Sequence, residues 1–454
     1  MKSLVLWQPG FATGGFVGTI PAMDTPRANP LYSQWLTVAK ARGQKLALRE
    51  LASGREWSFA DLHELAKTAP PSPPLLHSTT RGLNFVLDVL RSWRDGTVLL
   101  PDDGSGMAPP PQAALGRDLC HLKITSGSGG VRRCVMFRAE QLAADAAHIV
   151  ATMGLREDWP NLGVISMAHS YGFSNLVLPL LLYGVPLWML ENPLPETLRR
   201  VLHPGHPLTL PAVPALWQAW ERVGMDLAPI RLAISAGAPL DLALETAVFN
   251  RSGVKIHNFY GSSECGGIAY DGTASPRTQA TLAGTPMLGV SVSVDPASGC
   301  LRITSPAVAD GYLHADPPAD AAASPAGGTW LSQDVARLDE QQAVHLLGRA
   351  GDFISVAGHK IAPAVIEELL QRVAGVHCCV VFGVPSPNAI RAEDVVACVN
   401  LEPGTDLDLL KRALGERPSI YQPRHWWRCD ELHPDARGKV SRSHWRRQWL
   451  AQHA

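Results

Sequence analysis

At 454 residues the chain is too long for one ordinary core, so two or more domains are expected. Apolar residues make up 46% and charged residues 18%, the balance of a globular chain. A formal net charge of -1 argues against a protein built mainly to hold nucleic acid. No stretch of about 18 uncharged apolar residues marks a membrane span; the longest candidate, Leu176 to Leu190, is interrupted by Pro179, Gly184 and Pro186. The first residues meet Gln8-Pro9-Gly10 too early to form the apolar core of a signal peptide. Eight cysteines, with no C-x-x-C pair, form neither a zinc pattern nor a disulfide framework, so a reducing cytoplasm is expected.

From about residue 31 to 347, short apolar runs alternate with helical patterns. Leu162 to Ser166, Leu232 to Ser235 and Val254 to His257 are short enough to be buried strands, and Ala139 to Met153 reads as an amphipathic helix between such runs. That alternation predicts an α/β class with stacked, mostly parallel sheets. From Ala283 to Tyr312 the segments are close-set and broken by Gly and Pro, which predicts a small β subdomain. A Pro/Ala/Gly-rich loop follows, from Asp316 to Gly328. Beyond Gly348 a compact α+β unit is expected, with a helix from Ala364 to Val373 and strands at Cys378 to Val384 and Val395 to Asn400. The chain therefore divides into residues 1–348 and residues 349–454.

Four segments carry chemistry. In Thr125-Ser126-Gly127-Ser128-Gly129-Gly130-Val131-Arg132-Arg133, glycines free backbone N–H groups to face an anion, hydroxyls donate further bonds, and arginines neutralise phosphate. It is neither a Walker loop nor a nucleophile elbow, and on its own a Ser/Gly run is more often a flexible loop. Asn258-Phe259-Tyr260-Gly261-Ser262-Ser263-Glu264 offers an aromatic ring for a base, a hydroxyl for a phosphate and a carboxylate for Mg²⁺. Ser332-Gln333-Asp334 followed by Gly348-Arg349-Ala350-Gly351-Asp352 places an acidic residue at a strand end. Gly438-Lys439-Val440-Ser441-Arg442 lies in a basic C-terminal stretch.

Taken together and in order, these segments resemble the superfamily of acyl-CoA synthetases, peptide-synthetase adenylation domains and luciferases. The resemblance runs from about residue 31 to 447. The Ser/Gly loop is similar to the family's phosphate loop, T-S-G-[ST]-T-G-x-P-K, and residues 258–264 to N-x-Y-G-x-T-E. Gly299 to Pro306, ending at Gly311-Tyr312, is similar to G-E-L-x-[IV]-x-G-P…G-Y. Ser332 to Asp334 stands where the family has T-G-D, Gly348-Arg349 opens its hinge, and residues 438–442 match G-K-x-x-R.

The resemblance implies a large adenylate-forming domain and a smaller mobile C-terminal domain that rotates about Gly351 between half-reactions. It implies that ATP is held by Thr125, Ser126, Gly127, Ser128, Gly130, Arg133, Asn258, Tyr260, Gly261, Asp334 and Arg349. Tyr260 would stack on adenine, Asn258 would bond its edge, and Asp334 would accept from the ribose hydroxyls with Arg349 beside it. Ser263 would touch the α-phosphate, Glu264 would be the Mg²⁺ ligand, and Lys439 would bridge the carboxylate and α-phosphate during displacement.

His169-Ser170-Tyr171-Gly172 resembles the H-x-x-G of acyl-CoA synthetases, which puts His169 where the acyl pocket meets the thiol tunnel. On its own, such a histidine is as often a satisfied core residue. Tyr171, Ala236, Gly237 and Gly266, with Gly261, match pocket-lining positions. Their small size leaves room for an aryl or medium acyl acid, and no Asp stands where amino-acid-activating relatives anchor an ammonium group. The expected activity is ATP-dependent formation of an acyl-adenylate with release of pyrophosphate, then thioester formation with CoA. The alternative acceptor is the phosphopantetheine of an acyl carrier protein, which the basic surplus between Arg417 and Arg447 also suits. Amide formation or a non-catalytic nucleotide-binding homologue remain as other readings, the last because Gly129, Arg132 and Arg133 depart from the family's loop.

Overall fold

The computed structural model describes residues 29–104, 107–112, 115–116, 118–126, 132–202, 205–313, 324–388, 390–415, 417–434 and 440–453, with Ser126 and Arg132 described in their backbone only. Local chemistry sets the helix boundaries. Asn29 accepts from the Leu31 amide to cap the helix Pro30–Arg42, which has Pro at its start. Ser58 and Asp61 cap the helix Phe59–Thr68 reciprocally. The helix expected at 139–153 forms over Ala139–Met153 and ends on Gly154 in the left-handed conformation.

Among the described residues the larger sheet has thirteen strands. Its parallel part runs from Leu46–Glu50 through Leu187–Met189, Asn161–Gly163, Leu208–Ala212 and Ile230–Ser235 to Ile256–Ser262. The expected apolar runs are those strands, although the first ends at Gly163, before Val164 to Ser166. Beyond Ile256–Ser262 the pairing turns antiparallel, through Gly266–Tyr270, Leu282–Pro286, Val344–Arg349, Thr329–Leu338, Cys300–Thr304 and Ser291–Val294. The small β region is thus wider than the expected 283–312. One of its segments, Gly311–Leu313, crosses over to pair with Cys134 to Met136 in the second sheet.

That second, five-stranded sheet has the order Gly311–Leu313, Arg132–Arg138, Leu119–Ser126, Val98–Pro101, Leu75–Ser78, the last three parallel. Helices fill the space between the two sheets. Trp35, Phe59, Phe85, Trp93, Leu142 and Leu180 pack in one core with Leu48 and Leu187 of the large sheet and Leu99 and Val135 of the smaller one. The apolar stretch from Leu176 is buried here, and no described helix is long and apolar enough to cross a membrane.

The residues from Ile354 onward bury cores of their own. The strands Val376–Pro385 and Glu393–Leu401 alternate, sending Cys379, Val381 and Val395 to one core with Ile366 and Leu410, and Val380, Phe382 and Val396 to another with Trp445. The expected helix occupies Pro363–Gln371.

A buried ion network fastens the strand Ile256–Ser262. Lys255 Nζ donates to Glu245 and, at 2.7 Å, to Asp271 Oδ2, while Arg277 donates to Glu245 Oε2 at 2.9 Å and to the Leu240 and Leu282 carbonyls. All four charged residues are buried, Glu245 completely. Burial alone would raise the Asp271 carboxyl, but hydrogen bonds from Lys255 and Thr273 overcome it and hold the group below its usual value. Glu245→Ala leaves two buried cations short of an anion, and it is expected to cost about 3–5 kcal/mol, read as a lower urea midpoint. An unchanged midpoint would show that the network contributes nothing to stability.

Candidate active site

The strand Ile256–Ser262 stands where the large sheet changes from parallel to antiparallel pairing. The chain must therefore reverse within a few residues, and the turn at 263–265 presents Ser263 and Glu264 beyond the carboxyl ends of the parallel strands. Open α/β sheets bind ligands in that crevice. Gly266 closes the turn with φ of 70°, and a Cβ there would lie 2.1 Å from Asp145 Oδ1. Asp145 needs that position, because it accepts from the Gly267 amide at 3.0 Å and from Ser174 Oγ at 2.6 Å.

Beneath the turn lies Lys123, 4% exposed, its ammonium 3.9 Å from Asp145 Oδ2 and 4.4 Å from the centre of the Phe137 ring. Burial pushes the Lys123 ammonium down, and the charge of Asp145 pulls the other way. Sequence reasoning passed over Lys123, Asp145 and Ser174. The available signal was a charge inside the apolar run Leu122-Lys123-Ile124, immediately before the Ser/Gly loop.

On one side of the turn, Tyr260, Asp334 and Arg349 come together. Tyr260 Oη donates to Asp334 Oδ2 at 2.6 Å, and Arg349 Nε donates to Asp334 Oδ1 at 3.2 Å. Asp334 and Arg349 face each other in register across adjacent strands. Burial, then the neighbouring Asp334 charge, pushes the Tyr260 phenol well up, so it stays a donor. The Ser332 hydroxyl accepts from the Asp334 amide at 3.1 Å, shaping the turn where the family has Thr-Gly. Asn258 is buried and donates from Nδ2 to the Ala283 carbonyl at 3.0 Å, so its N–H end is already engaged.

On the other side, Thr125 and Arg133 are opposite each other on the strands flanking the Ser/Gly loop. The Arg133 guanidinium lies 5.0 Å from the Tyr312 ring centre, and Tyr312 Oη donates to Glu264 Oε1 at 3.0 Å. Burial, then the Glu264 charge, raises the Tyr312 phenol. Tyr312, though part of a recognised motif, had no assigned role; it links the strand after the loop to the Glu264 turn. Gly127, Ser128, Gly130 and Lys439 lie outside the described residues, and Ser126 ends its strand opposite Arg132.

The His169 turn joins the two sides. Ser170 Oγ donates to Ser263 Oγ at 2.9 Å. Tyr171 Oη donates to the carbonyls of Ile234 at 3.2 Å and Ala212 at 3.4 Å, which commits its hydroxyl to the large sheet. A Cβ on Gly172 would meet the Ser166 carbonyl oxygen at 2.0 Å, the reason for glycine at that point. Tyr171 packs with Ala236, Phe259 and Tyr260 in one apolar cluster. Gly237 takes φ of 89°, and a Cβ on Gly261 would strike the Gly266 carbonyl oxygen at 2.7 Å. Gly261 is small because the backbones approach closely, and Gly237 because of its left-handed backbone.

An oxygen-rich crevice with an aromatic ring, two hydroxyls, a half-accessible carboxylate and flanking arginines is equipped to hold a nucleoside phosphate. Residues 79–313, just over half of the chain, match the sequence profile of the AMP-binding enzyme family. The chain belongs to that family. It is 26% identical over 295 residues to a feruloyl-CoA synthase from an Amycolatopsis species, covering 61% of this chain and 59% of that protein. It is also 26% identical over 343 residues to a Mycobacterium tuberculosis 3-[(3aS,4S,7aS)-7a-methyl-1,5-dioxo-octahydro-1H-inden-4-yl]propanoyl:CoA ligase, covering 73% of this chain and 66% of that one. The chain thus spans about three-fifths to two-thirds of the length of these curated relatives. The fold is that of ATP-bound MatB from Rhodopseudomonas palustris, with a TM-score of 0.80, 19% identity, and 93% and 99% of the two chains covered.

Gly266→Ala tests the packing under the turn. The left-handed backbone alone costs about 1–2 kcal/mol, and the clash with Asp145 adds to it, so a clearly lower thermal midpoint is expected. A midpoint equal to the parent's would mean that Asp145 can move aside.

Proposed function

We propose that the protein uses ATP to convert a carboxylic acid to an acyl-adenylate, releasing pyrophosphate, and then passes the acyl group to the thiol of CoA. The observation that carries this reading is the bridge from Tyr260 through Asp334 to Arg349 beside a turn offering Ser263 and Glu264. Adenine would stack on Tyr260, and the ribose hydroxyls would donate to the Asp334 carboxylate, which Arg349 orients. Asn258 would offer its amide oxygen to the base. Ser263, braced by Ser170, would donate to the α-phosphate, and Thr125, Ser126, Gly127, Ser128, Gly130 and Arg133 would surround the β- and γ-phosphates.

The Glu264 carboxylate, half-accessible and steadied by Tyr312, suits Mg²⁺, a hard cation that takes one or two carboxylates together with substrate phosphates. Bound there, Mg²⁺ would neutralise charge on the departing pyrophosphate. Lys439 would meet the substrate carboxylate and the α-phosphate as negative charge gathers between them, stabilising the transition state more than the ground state.

The segment that follows Lys439 is tied to the hinge stretch. Arg442 Nη1 donates to Asp352, and Nη2 donates to both oxygens of Glu367 at 2.8 and 2.9 Å. Residues 349–454 would move as one body about Gly351, carrying Lys439 in for adenylation and out for thiol transfer, while residues 1–348 keep the nucleotide. The acid would lie over Ala236, Gly237, Gly261 and Gly266 beside Tyr171, a cleft for an aryl or medium acyl chain. CoA is the acceptor favoured by the curated relatives; a carrier protein's phosphopantetheine presents the same thiol. Eight free thiols suit a reducing compartment such as the cytoplasm.

Pyrophosphate exchange into ATP, measured across a panel of aryl and medium-chain acids, should be acid-dependent. Lys439→Ala should lower it by on the order of 10²–10³, and Asp334→Asn should raise the KM for ATP with a smaller effect on turnover. No exchange with any acid, from folded protein that still binds ATP, would establish a non-catalytic nucleotide-binding role instead. Exchange followed by acyl transfer only to a carrier protein would replace CoA as acceptor.

A further inference from the structure

The crevice contains an acidic residue that neither the motifs nor the adenylation chemistry uses. Asp102 and Asp103 follow the strand Val98–Pro101, next to the strand that leads into the Ser/Gly loop. The Asp102 amide donates to the Ser78 carbonyl at 2.8 Å, which pins the chain here. The two carboxylates then diverge. Asp102 is buried and lies 3.2 Å from His77 Nε2, on the neighbouring strand Leu75–Ser78. Asp103 lies on the other side, its Oδ1 accepting from Arg81 Nη2 at 2.9 Å and its Oδ2 3.6 Å from His169 Nε2.

Exposure divides the labour between Asp103 and His169. The Asp103 side chain is 19% exposed and His169 is 47% exposed, so the carboxylate is sheltered while the imidazole remains accessible to a substrate. Arg81 stands at the start of the helix Gly82–Asp95 and holds one Asp103 oxygen, aiming the other at His169. His169 is itself one residue from Ser170, whose hydroxyl bonds Ser263. The turn carrying the imidazole is therefore held to Ser263 through Ser170, while the ring itself faces Asp103.

We propose that Asp103 is a positioning residue for the thiol-transfer half-reaction, acting through His169. The inference rests on the ligase reading above. In that step the thiol proton passes to the His169 imidazole, the sulfur lone pair forms the C–S bond at the acyl carbon, and the bond from that carbon to the phosphate-bridging oxygen breaks. AMP leaves with the electron pair of the broken bond. The imidazolium so formed faces Asp103, whose negative charge stabilises it at ion-pair distance, while Arg81, itself 80% exposed, pairs with the other carboxylate oxygen. Adenylation creates no charge at His169, so only the second half-reaction depends on Asp103.

The two half-reactions are to be measured separately on the full chain: pyrophosphate exchange into ATP for the first, and CoA-dependent release of AMP from preformed acyl-adenylate for the second. Asp103→Asn should leave exchange within about twofold and slow thiol transfer about 10- to 100-fold, as for carboxylates that orient metal-bound imidazoles. Asp103→Glu should recover most of the loss. In a His169→Ala background, Asp103→Asn should have no further effect. Equal losses in both half-reactions, unchanged thiol transfer, or an undiminished effect of Asp103→Asn without His169 would each overturn the assignment. Absence of acid-dependent exchange in the parent protein would instead overturn the ligase reading, and the assignment with it.

Discussion

The site depends on the burial of four charges that satisfy one another. Glu245, Lys255, Asp271 and Arg277 come from a helix, the start of a strand and the loop that follows its return strand, and together they clamp the strand Ile256–Ser262. An isolated ion at such depth would cost several kcal/mol, so the elements can sit together only with every partner present. That requirement fixes the start of the strand bearing Asn258 and Tyr260, which runs on into the turn with Ser263 and Glu264. The network sits where the strand begins, at Lys255, while Ser263 and Glu264 follow its other end, which separates the cost of rigidity from the chemistry.

From this strand the rest of the crevice is assembled by three short links. Asp334 reaches Tyr260 from the antiparallel part of the sheet, Tyr312 reaches Glu264 from the second sheet, and Ser170 reaches Ser263 from the turn between them. Each link joins elements far apart in sequence, and each ends on the same seven-residue stretch. A second buried charge pair, Lys123 with Asp145, lies under the turn and ties the strand entering the Ser/Gly loop to the helix Ala139–Met153. The loop and the turn are thereby referred to one common floor.

The C-terminal residues follow another logic. Their sheet buries apolar side chains on both faces, and the helix Arg442–Gln452 is fastened by Arg442 to Asp352, Glu367 and the Val381 carbonyl. A bidentate guanidinium–carboxylate pair fixes direction as well as distance. The segment around Asp352 is in this way tied to the segment that begins after Lys439.

Sequence by itself determined the class of fold and the family, because those depend on local patterns. Alternating short apolar runs and amphipathic stretches specify α/β layering, and Asn258 to Glu264, Ser332 to Asp334 and Gly348-Arg349 retain side chains whose chemistry is readable one segment at a time. The helix Ala139–Met153 was legible to the residue from its amphipathic pattern, and Gly154 closes it. What only the tertiary structure decided is which distant groups meet. Lys123 reads as a misplaced charge until Asp145 is seen 3.9 Å away, and Asp103 reads as a turn residue until Arg81 and His169 are seen on either side. Gly311–Leu313 reads as part of the small β region until it pairs with the second sheet. Hydrophobic period and motif spacing report how a segment faces its neighbours, whereas a contact across some sixty residues, such as Asp103 to His169, is set by the packing of whole sheets.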